Sequence, residues 1–377
     1  MRIRSWLLLL LLLAACTYPG TPGQPPTPTP QPSATPAPTA APRLLPQALY
    51  FLSTRGEGLQ AIWRLDADGR TLQAITGGEA SIDEFDVAPN GQLVFRIGNR
   101  IYLHIQDEAP RLLVDNASAD EDAADFATQQ AVRSPRLAPN GATLAYAQGG
   151  LWLFDLASGN ALRVLENQSG SAGEGEDAQV VYSPVAWAPS GLQLLVAVAG
   201  PQGSGLGVWD ASSHQFTRLA SEGSLCCQAS WAPDSRSVLL ASQLLGLMEP
   251  GLWRFDTTTG EGVALVETHS GEAYPFIAWP LQLPNGNLQY FYASAVEPPQ
   301  TDLPLYMVRA AADGVGARSQ LRDDAFTIRE ALWAADGSLA LVVQNATGSA
   351  GPIVLAASDG QPLQVLVDFG HDLRWGP

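Results

Sequence analysis

An all-β fold assembled from repeats of one four-strand unit is what this sequence predicts, and three observations predict it. A short apolar signature recurs from Phe85 to Pro377, in most copies closed by a Pro-containing turn. Each copy but the last is followed by an apolar strand and then by a third strand. The turns carry Asn-Gly, Asp-Gly or Ser-Gly, which supply the positive φ that tight hairpins need.

The unit is clearest between Ala229 and Val266. It parses as strands Ala229–Trp231, Ser237–Ser242, Leu252–Asp256 and Val263–Val266, with Ala232-Pro233-Asp234-Ser235 turning the first into the second. The same first-strand signature appears at Phe85-Asp86-Val87, Pro135-Arg136-Leu137, Val185-Ala186-Trp187, Ile277-Ala278-Trp279, Ala331-Leu332-Trp333 and Asp372-Leu373-Arg374-Trp375. Counted at Pro89, Pro139, Pro189, Pro233, Pro284, Ala335 and Pro377, the spacings are 50, 50, 44, 51, 51 and 42 residues. The second strands are expected near Leu93–Ile97, Thr143–Ala147, Leu192–Val198, Val238–Ser242, Leu288–Tyr292 and Leu339–Val343, and the third near Ile101–Ile105, Leu151–Asp155, Leu206–Asp210, Leu252–Asp256, Leu305–Arg309 and Ile353–Ala357. All nine Trp beyond Trp6 fall in first or third strands. A period of 40 to 50 residues with four strands per unit is the pattern of a β-propeller.

The ends complete the count. Leu49–Leu52, Ile62–Asp66 and Thr71–Thr76 form a unit without a first strand, and Leu373–Trp375 is a first strand without a unit. Pairing them closes a ring and removes exposed strand edges. The expectation is a seven-bladed propeller over 47–377 closed by its N- and C-terminal strands, with six blades as the alternative if the divergent unit at 277–322 is miscounted.

Units such as Ala229-Ser230-Trp231-Ala232-Pro233-Asp234 and Ile62-Trp63-Arg64-Leu65-Asp66-Ala67-Asp68-Gly69 resemble the WD40-like repeats of the TolB-type propeller family, over essentially all of Leu49–Pro377. The resemblance implies fold and little about function. The α/β domain that precedes the propeller in TolB is replaced here by a linker, and no hydrolase domain follows as in prolyl-peptidase relatives. Neither TolB's partners nor peptidase chemistry is therefore implied.

The N-terminal residues predict a cellular address. Arg2 and Arg4 precede an apolar core, Trp6–Leu13, too short to span a bilayer. Leu13-Ala14-Ala15-Cys16 resembles a bacterial lipobox, so residues 1–15 are expected to be a lipoprotein signal peptide and Cys16 the lipidated N-terminus. Several acyl chains on one Cys would anchor stably. Residues 16–46 read as a linker, with eleven Pro in positions 17–46 and extended polyproline II as the favoured conformation. The address is the bacterial cell envelope, on the extracytoplasmic side.

Composition narrows the partners. The chain carries 37 acidic residues against 20 basic ones, all Arg, for a net charge of −17. Such a surface repels phosphate backbones, and nucleic-acid binding is not expected.

In an up-and-down unit the first-to-second and third-to-fourth turns lie at one end, and the second-to-third loops and unit-to-unit connections at the other. Every long insertion, such as Asp115–Ala131, Glu166–Tyr182 and Gln243–Gly251, is of the second kind. One end is therefore the expected binding face. Two adjacent insertions are acidic. Asp120, Glu121, Asp122 and Asp125 in one, and Glu174, Glu176 and Asp177 in the other, are the candidate binding residues. They would suit a basic partner or a hard cation such as Ca²⁺, but neither run has a recognisable metal spacing, and a solvated loop is the plainer reading. No other cofactor is implied.

Cys226-Cys227 is either a strained vicinal disulfide or two thiols. The four His are scattered, and no G-x-S-x-G, P-loop, dinucleotide or HExxH pattern occurs. The expectation is a non-enzymatic, membrane-anchored module binding an envelope protein, peptide or glycan. The alternative is an envelope enzyme of glycan lyase or hydrolase type, which would need His, Arg and carboxylates converging on the channel mouth. The strands visible in the sequence offer mostly apolar residues.

Overall fold

The computed structural model describes residues 43–377 apart from 55–57, 78, 107, 124, 169–178, 201–202, 221–227, 243–250, 267–272, 296–302, 315–317 and 345–349. The signal peptide, Cys16, nearly all of the linker, Cys226, Cys227, Glu174, Glu176 and Asp177 lie outside the described residues.

The described chain is all-β save for one π-helical turn at Phe126–Gln130. Strands β1 (Ala48–Ser53), β2 (Ala61–Leu65) and β3 (Leu72–Ala74) follow one another in one sheet. Then come five four-stranded antiparallel sheets. The first holds β4 (Glu84–Val87), β5 (Leu93–Ile97), β6 (Arg100–His104) and β7 (Arg111–Asp115), and the second β8 (Arg133–Leu137), β9 (Thr143–Ala147), β10 (Gly150–Asp155) and β11 (Ala161–Glu166). The third holds β12 (Val181–Trp187), β13 (Gln193–Gly200), β14 (Gly203–Asp210) and β15 (Gln215–Arg218). The fourth holds β16 (Gln228–Trp231), β17 (Ser237–Ser242), β18 (Gly251–Asp256) and β19 (Gly262–Val266). The fifth holds β20 (Tyr274–Gln282), β21 (Leu288–Ala295), β22 (Leu305–Ala310) and β23 (Ser319–Phe326).

The last strands, β24 (Ile328–Trp333), β25 (Leu339–Gln344), β26 (Gly351–Ala357) and β27 (Gln364–Gly376), join β1–β3 in one seven-stranded sheet. The 13-residue β27 makes the join. Its first half pairs with β26, as at Val367 with Ile353. Its second half pairs antiparallel with β1, with Trp375 opposite Leu49 and Arg374 opposite Tyr50.

The core explains the sequence pattern. Second strands are apolar on both faces, because each sheet is covered on both sides. All six residues of β1 are buried, and so are five of six in β25. Tyr50 and Leu52 of β1 pack with Phe85 and Phe95 of the next sheet, while Leu49 and Phe51 pack the other way against Leu341, Ile353 and Val367. Period-two alternation sends neighbouring residues into different layers. The layers follow one another through the chain. Val94 and Leu103 meet Leu144 and Tyr146; Ala145 and Leu151 meet Val196 and Trp209; Leu195 and Val208 meet Leu240 and Phe255. Leu239 and Leu252 then meet Tyr290 and Val308, and Phe291 and Met307 meet Trp333 and Val342. Packing already includes Leu45, which is 2% exposed and donates its N–H to the Ala67 carbonyl.

The leading strand of each sheet is bonded to the leading strand of the next through side chains. Trp187 Nε1 donates to Arg136 O (3.1 Å), Trp231 to Ala186 O (3.1 Å), Trp333 to Trp279 O (2.7 Å) and Trp375 to Trp333 O (2.7 Å). Ser230 Oγ donates to Pro280 O at 2.6 Å. The Trp of these leading strands thus packs its ring and spends its one polar atom on the preceding leading strand. Trp231→Phe should lower unfolding free energy by about 1 kcal/mol, the usual net worth of one hydrogen bond, as read by urea denaturation; no change would mean the indole bond is idle.

Candidate functional site

On four of the leading strands, β4, β8, β24 and β27, charged residues stand among the core residues, and several of them meet. In β4, Phe85 and Val87 are buried and the intervening Glu84 and Asp86 are half-buried. Asp86 Oδ2 accepts the Leu137 N–H of β8 at 2.8 Å, and Asp86 Oδ1 lies 3.4 Å from Arg374 Nε of β27. Arg374 also reaches Asp372 Oδ1 (2.7 Å) and its own strand at Leu373 O (2.8 Å), and it lies over the Phe85 ring. Arg136 donates from Nε to Val185 O (2.7 Å) and from Nη1 to Pro135 O (2.8 Å). Glu330 of β24 accepts two main-chain N–H groups of β27, Asp372 at 2.6 Å and Leu373 at 2.7 Å. Glu84 Oε2 accepts the Ser134 N–H at 2.5 Å and lies 3.5 Å from Arg96 Nε, while Arg96 Nη1 is 3.1 Å from Asp83. His371 Nε2 is 3.2 Å from Gln60 Oε1.

The chain enters each leading strand from the end that carries the insertions; Glu84, Glu330 and Asp372 lie toward that end of their strands, and Asp86, Arg136 and Arg374 lie nearer the short turns. Its presence corrects the expectation that these strands offer mostly apolar residues. The signature was read on its buried positions, and a period of two hides a second, polar set between them. The signal was present in Glu84-Phe85-Asp86-Val87 and in Asp372-Leu373-Arg374-Trp375 as charge alternating with apolar residues.

Electrostatics sort the members. Burial raises the Asp86 pKa, against the pull of Arg136 and Arg374, and burial likewise raises that of Glu330, against Arg374 and the Leu373 N–H. Burial works against the charge of Arg374, but Asp372, Asp86 and Glu330 outweigh it and hold its pKa up. Arg136 is lowered by burial and by repulsion from Arg374. Each carboxylate named is engaged by a guanidinium or an N–H, so the cluster is largely self-satisfied.

The first acidic insertion stands at the entry end of the leading strands. Asn99 Nδ2 donates to Asn116 O (2.8 Å), Asn116 Nδ2 to Gln130 O (2.7 Å) and Asn167 Nδ2 to Thr128 O (2.5 Å). The Asn99 side-chain oxygen accepts the Val132 N–H at 2.5 Å. The Arg133 guanidinium bonds the Ala127 carbonyl and so ties the loop to β8. Asp120, Glu121, Asp122 and Asp125 are all exposed on this pinned loop. Asp120 accepts the Asp122 N–H (3.1 Å) and Asp125 accepts from Gln130 Nε2 (3.0 Å). Among the described residues no group of three or more His, Cys, Asp or Glu could hold a metal ion.

The opposite end is built from short turns. Asp68-Gly69 is a hairpin turn, as expected. Asp68 Oδ1 accepts the Arg70 and Thr71 N–H groups, and Gly69 has φ +68°. A groove of about 630 Å³ at this end is lined by Arg236, Arg254, Asp256, Glu261 and Gln282, far in the sheet order from the charged cluster. Asp210 ends β14 in the same manner as Asp68. Its pKa is held well below the carboxylate range, first by the Ser212 hydroxyl, then by the Ser213 N–H and the Gln193 amide, with burial opposing. A depressed folded-state pKa adds stability that is present above the unfolded value near ~3.9 and is lost as pH falls through the folded value. Asp210→Asn should therefore cost about 1 kcal/mol near neutrality, discounted for exposure, and less as the pH drops below about 4. A pH-independent cost, measured by denaturation across that range, would contradict this.

No family model matches the sequence, and no curated protein matches it. Among the described residues no helix is long and apolar enough to cross a membrane. Solved structures share the fold. The "Dos1 propeller" aligns at a TM-score of 0.51 with 14% identity, covering 84% of this chain and 80% of that one. An oligogalacturonate lyase in complex with manganese aligns at 0.55 with 11% identity, covering 85% and 84%. A puromycin hydrolase S511A mutant aligns at 0.58 with 16% identity over 87% of this chain, which spans only 53% of that protein. TolB from Acinetobacter baumannii is matched as well, at a TM-score of 0.43 with 12% identity, covering 86% of this chain and 79% of that one. At these identities the likeness concerns architecture: the chain has a β-propeller fold.

Proposed function

We propose that this protein is a lipid-anchored, extracytoplasmic seven-bladed β-propeller that binds or assembles an envelope protein, peptide or glycan. The seven-stranded sheet counts as two blades that share β27, one built on β24–β26 and one on β1–β3. The observation that carries the binding reading is the state of the charged cluster. Glu84, Asp86, Glu330 and Asp372 are already spent on N–H groups and guanidinia of adjacent strands, which holds blades together and leaves no unengaged acid–base pair among them. The exposed carboxylates stand apart from it on the pinned 115–131 loop, available to a basic surface. Anchoring through Cys16 and the 16–46 linker would tether the domain to the membrane.

The test is a cross-linking pull-down from native envelope with soluble residues 44–377. Beside it runs a variant with Asp120, Glu121, Asp122, Asp125, Glu174, Glu176 and Asp177 changed to Asn or Gln. Partners retained by the wild type and lost by the variant support the reading. Identical partner sets from both remove the acidic loops from it.

One observation favours a second reading, an enzyme working at the channel mouth. Arg136 and Arg374 meet Asp86 and Asp372 between leading strands, on a fold shared with an oligogalacturonate lyase. Incubating the soluble domain with oligogalacturonate, with and without added manganese, and following chain shortening decides it. Cleavage that Arg374→Met abolishes in a folded variant would replace the binding reading.

A further inference from the structure

The joint between β27 and β1 contains a local irregularity with a chemical consequence. His371 pairs with Leu52 and Arg374 with Tyr50, so Asp372 and Leu373 together face the single residue Phe51. This is a β-bulge, in which extra residues on one strand lose ladder partners. Asp372 has φ +55°, a left-handed conformation unfavourable for a residue with a Cβ. The N–H groups of Asp372 and Leu373 bond to the two oxygens of Glu330.

β8 repeats the device with one difference. Its register shifts between Arg133 and Arg136, Ser134 also has φ +55°, and the Ser134 N–H is held by Glu84. The following residue there is Pro135, which has no N–H. That bulge needs one acceptor oxygen, and Glu84 is free to turn toward Arg96 as well. The β27 bulge needs two.

We propose that Glu330 is the latch of the terminal joint: its paired oxygens hold the bulged start of the 371–376 segment in register on β1, and without both of them this segment leaves β1 while the other sheets stay formed. The proposal is independent of what the protein binds and rests on the ring being closed by β27 and β1. A Gln in place of Glu keeps one acceptor and turns an NH₂ toward the second N–H. Glu84→Gln should thus be tolerated at its joint, and Glu330→Gln should not.

Residue-resolved hydrogen exchange on the soluble domain tests this, because local opening is read as local loss of protection. In the wild type, the Asp372 and Leu373 amides should exchange slowly, as should 48–53. In Glu330→Gln, exchange across 48–53 and 371–376 should quicken by about tenfold or more, with 193–200 and 237–242 unchanged. In Glu84→Gln, 133–137 should change by less than about threefold. Unprotected Asp372 and Leu373 amides beside a protected 48–53 overturn the latch even if no variant folds. An unprotected 48–53 in the wild type overturns the closed ring instead. Unaltered exchange in Glu330→Gln, or equal loosening of every sheet, also overturns the latch.

Discussion

Arg374→Met should lower the unfolding free energy by about 3–5 kcal/mol at neutral pH, the cost of stranding a buried charge by removing its partner. Arg374 serves two strands at once, β4 and its own β27. It lies 3.4 Å from Asp86 on β4, 2.7 Å from Asp372 beside it, and donates to Leu373 O. Met keeps much of the aliphatic stem over Phe85 but none of the charge. Asp86 would then keep the Leu137 and Val87 N–H groups and the attraction of Arg136, but lose its paired guanidinium. Its pKa, already raised by burial, would rise further. A raised folded-state carboxylate pKa costs stability once the group is ionised, so the penalty should shrink as pH falls toward the unfolded value near ~3.9. Adding Asp86→Asn should recover about 2 kcal/mol of the loss, because contacting residues couple by that order. Urea denaturation of the four proteins of the cycle checks this. A loss below about 1 kcal/mol for Arg374→Met would place Arg374 in water rather than in a shared charge cluster.

That cluster marks where sequence reasoning stops. The repeat was legible because turns and apolar strands obey local rules. Asn-Gly and Asp-Gly fix hairpins, and a second strand covered on both faces must be apolar throughout, as in Leu339–Gln344. Even the terminal pairing could be read, since Leu373–Trp375 lacked a unit and Leu49–Leu52 lacked a leading strand. Long-range partners were not legible in the same way. Asp86, Arg136 and Arg374 come from three different sheets, and Glu330 acts on residues 42 positions away. Their spacing reflects the repeat length, not a motif, so no local pattern announces them.

The acidic loop shows the opposite limit. Its composition was plain, but its rigidity was not. The buried Asn99 and Asn167, whose side chains pin it, sit outside the run in sequence. Amides that bond main-chain groups of a neighbouring loop leave no periodic trace. Functional reading from composition found the charges and missed the residues that hold them in place.

Phe51→Ala should cost about 3–5 kcal/mol, as large-to-small changes in a packed core do, and the way it unfolds will tell whether the terminal joint is part of one cooperative unit. Phe51 is fully buried in β1, opposite Trp63, in the layer between β1–β2 and β24–β26 with Ile353 and Val367. Gly370 admits the ring: a Cβ at that position would lie 2.7 Å from Phe51 Cδ2. The cavity left by Ala would sit beneath the bulge at Asp372 and Leu373, where β27 passes from one half of the seven-stranded sheet to the other. If closure welds the sheets into one unit, the urea transition should shift to lower midpoint and stay single, with its slope unchanged. A separate early transition would instead mean that the first and last strands can part while the remaining sheets persist. Leu162→Ala, at a side chain 60% exposed on the outer strand β11, is the matched control and should change stability by less than about 0.5 kcal/mol. Equal losses at the two sites would contradict the layered packing on which both expectations rest.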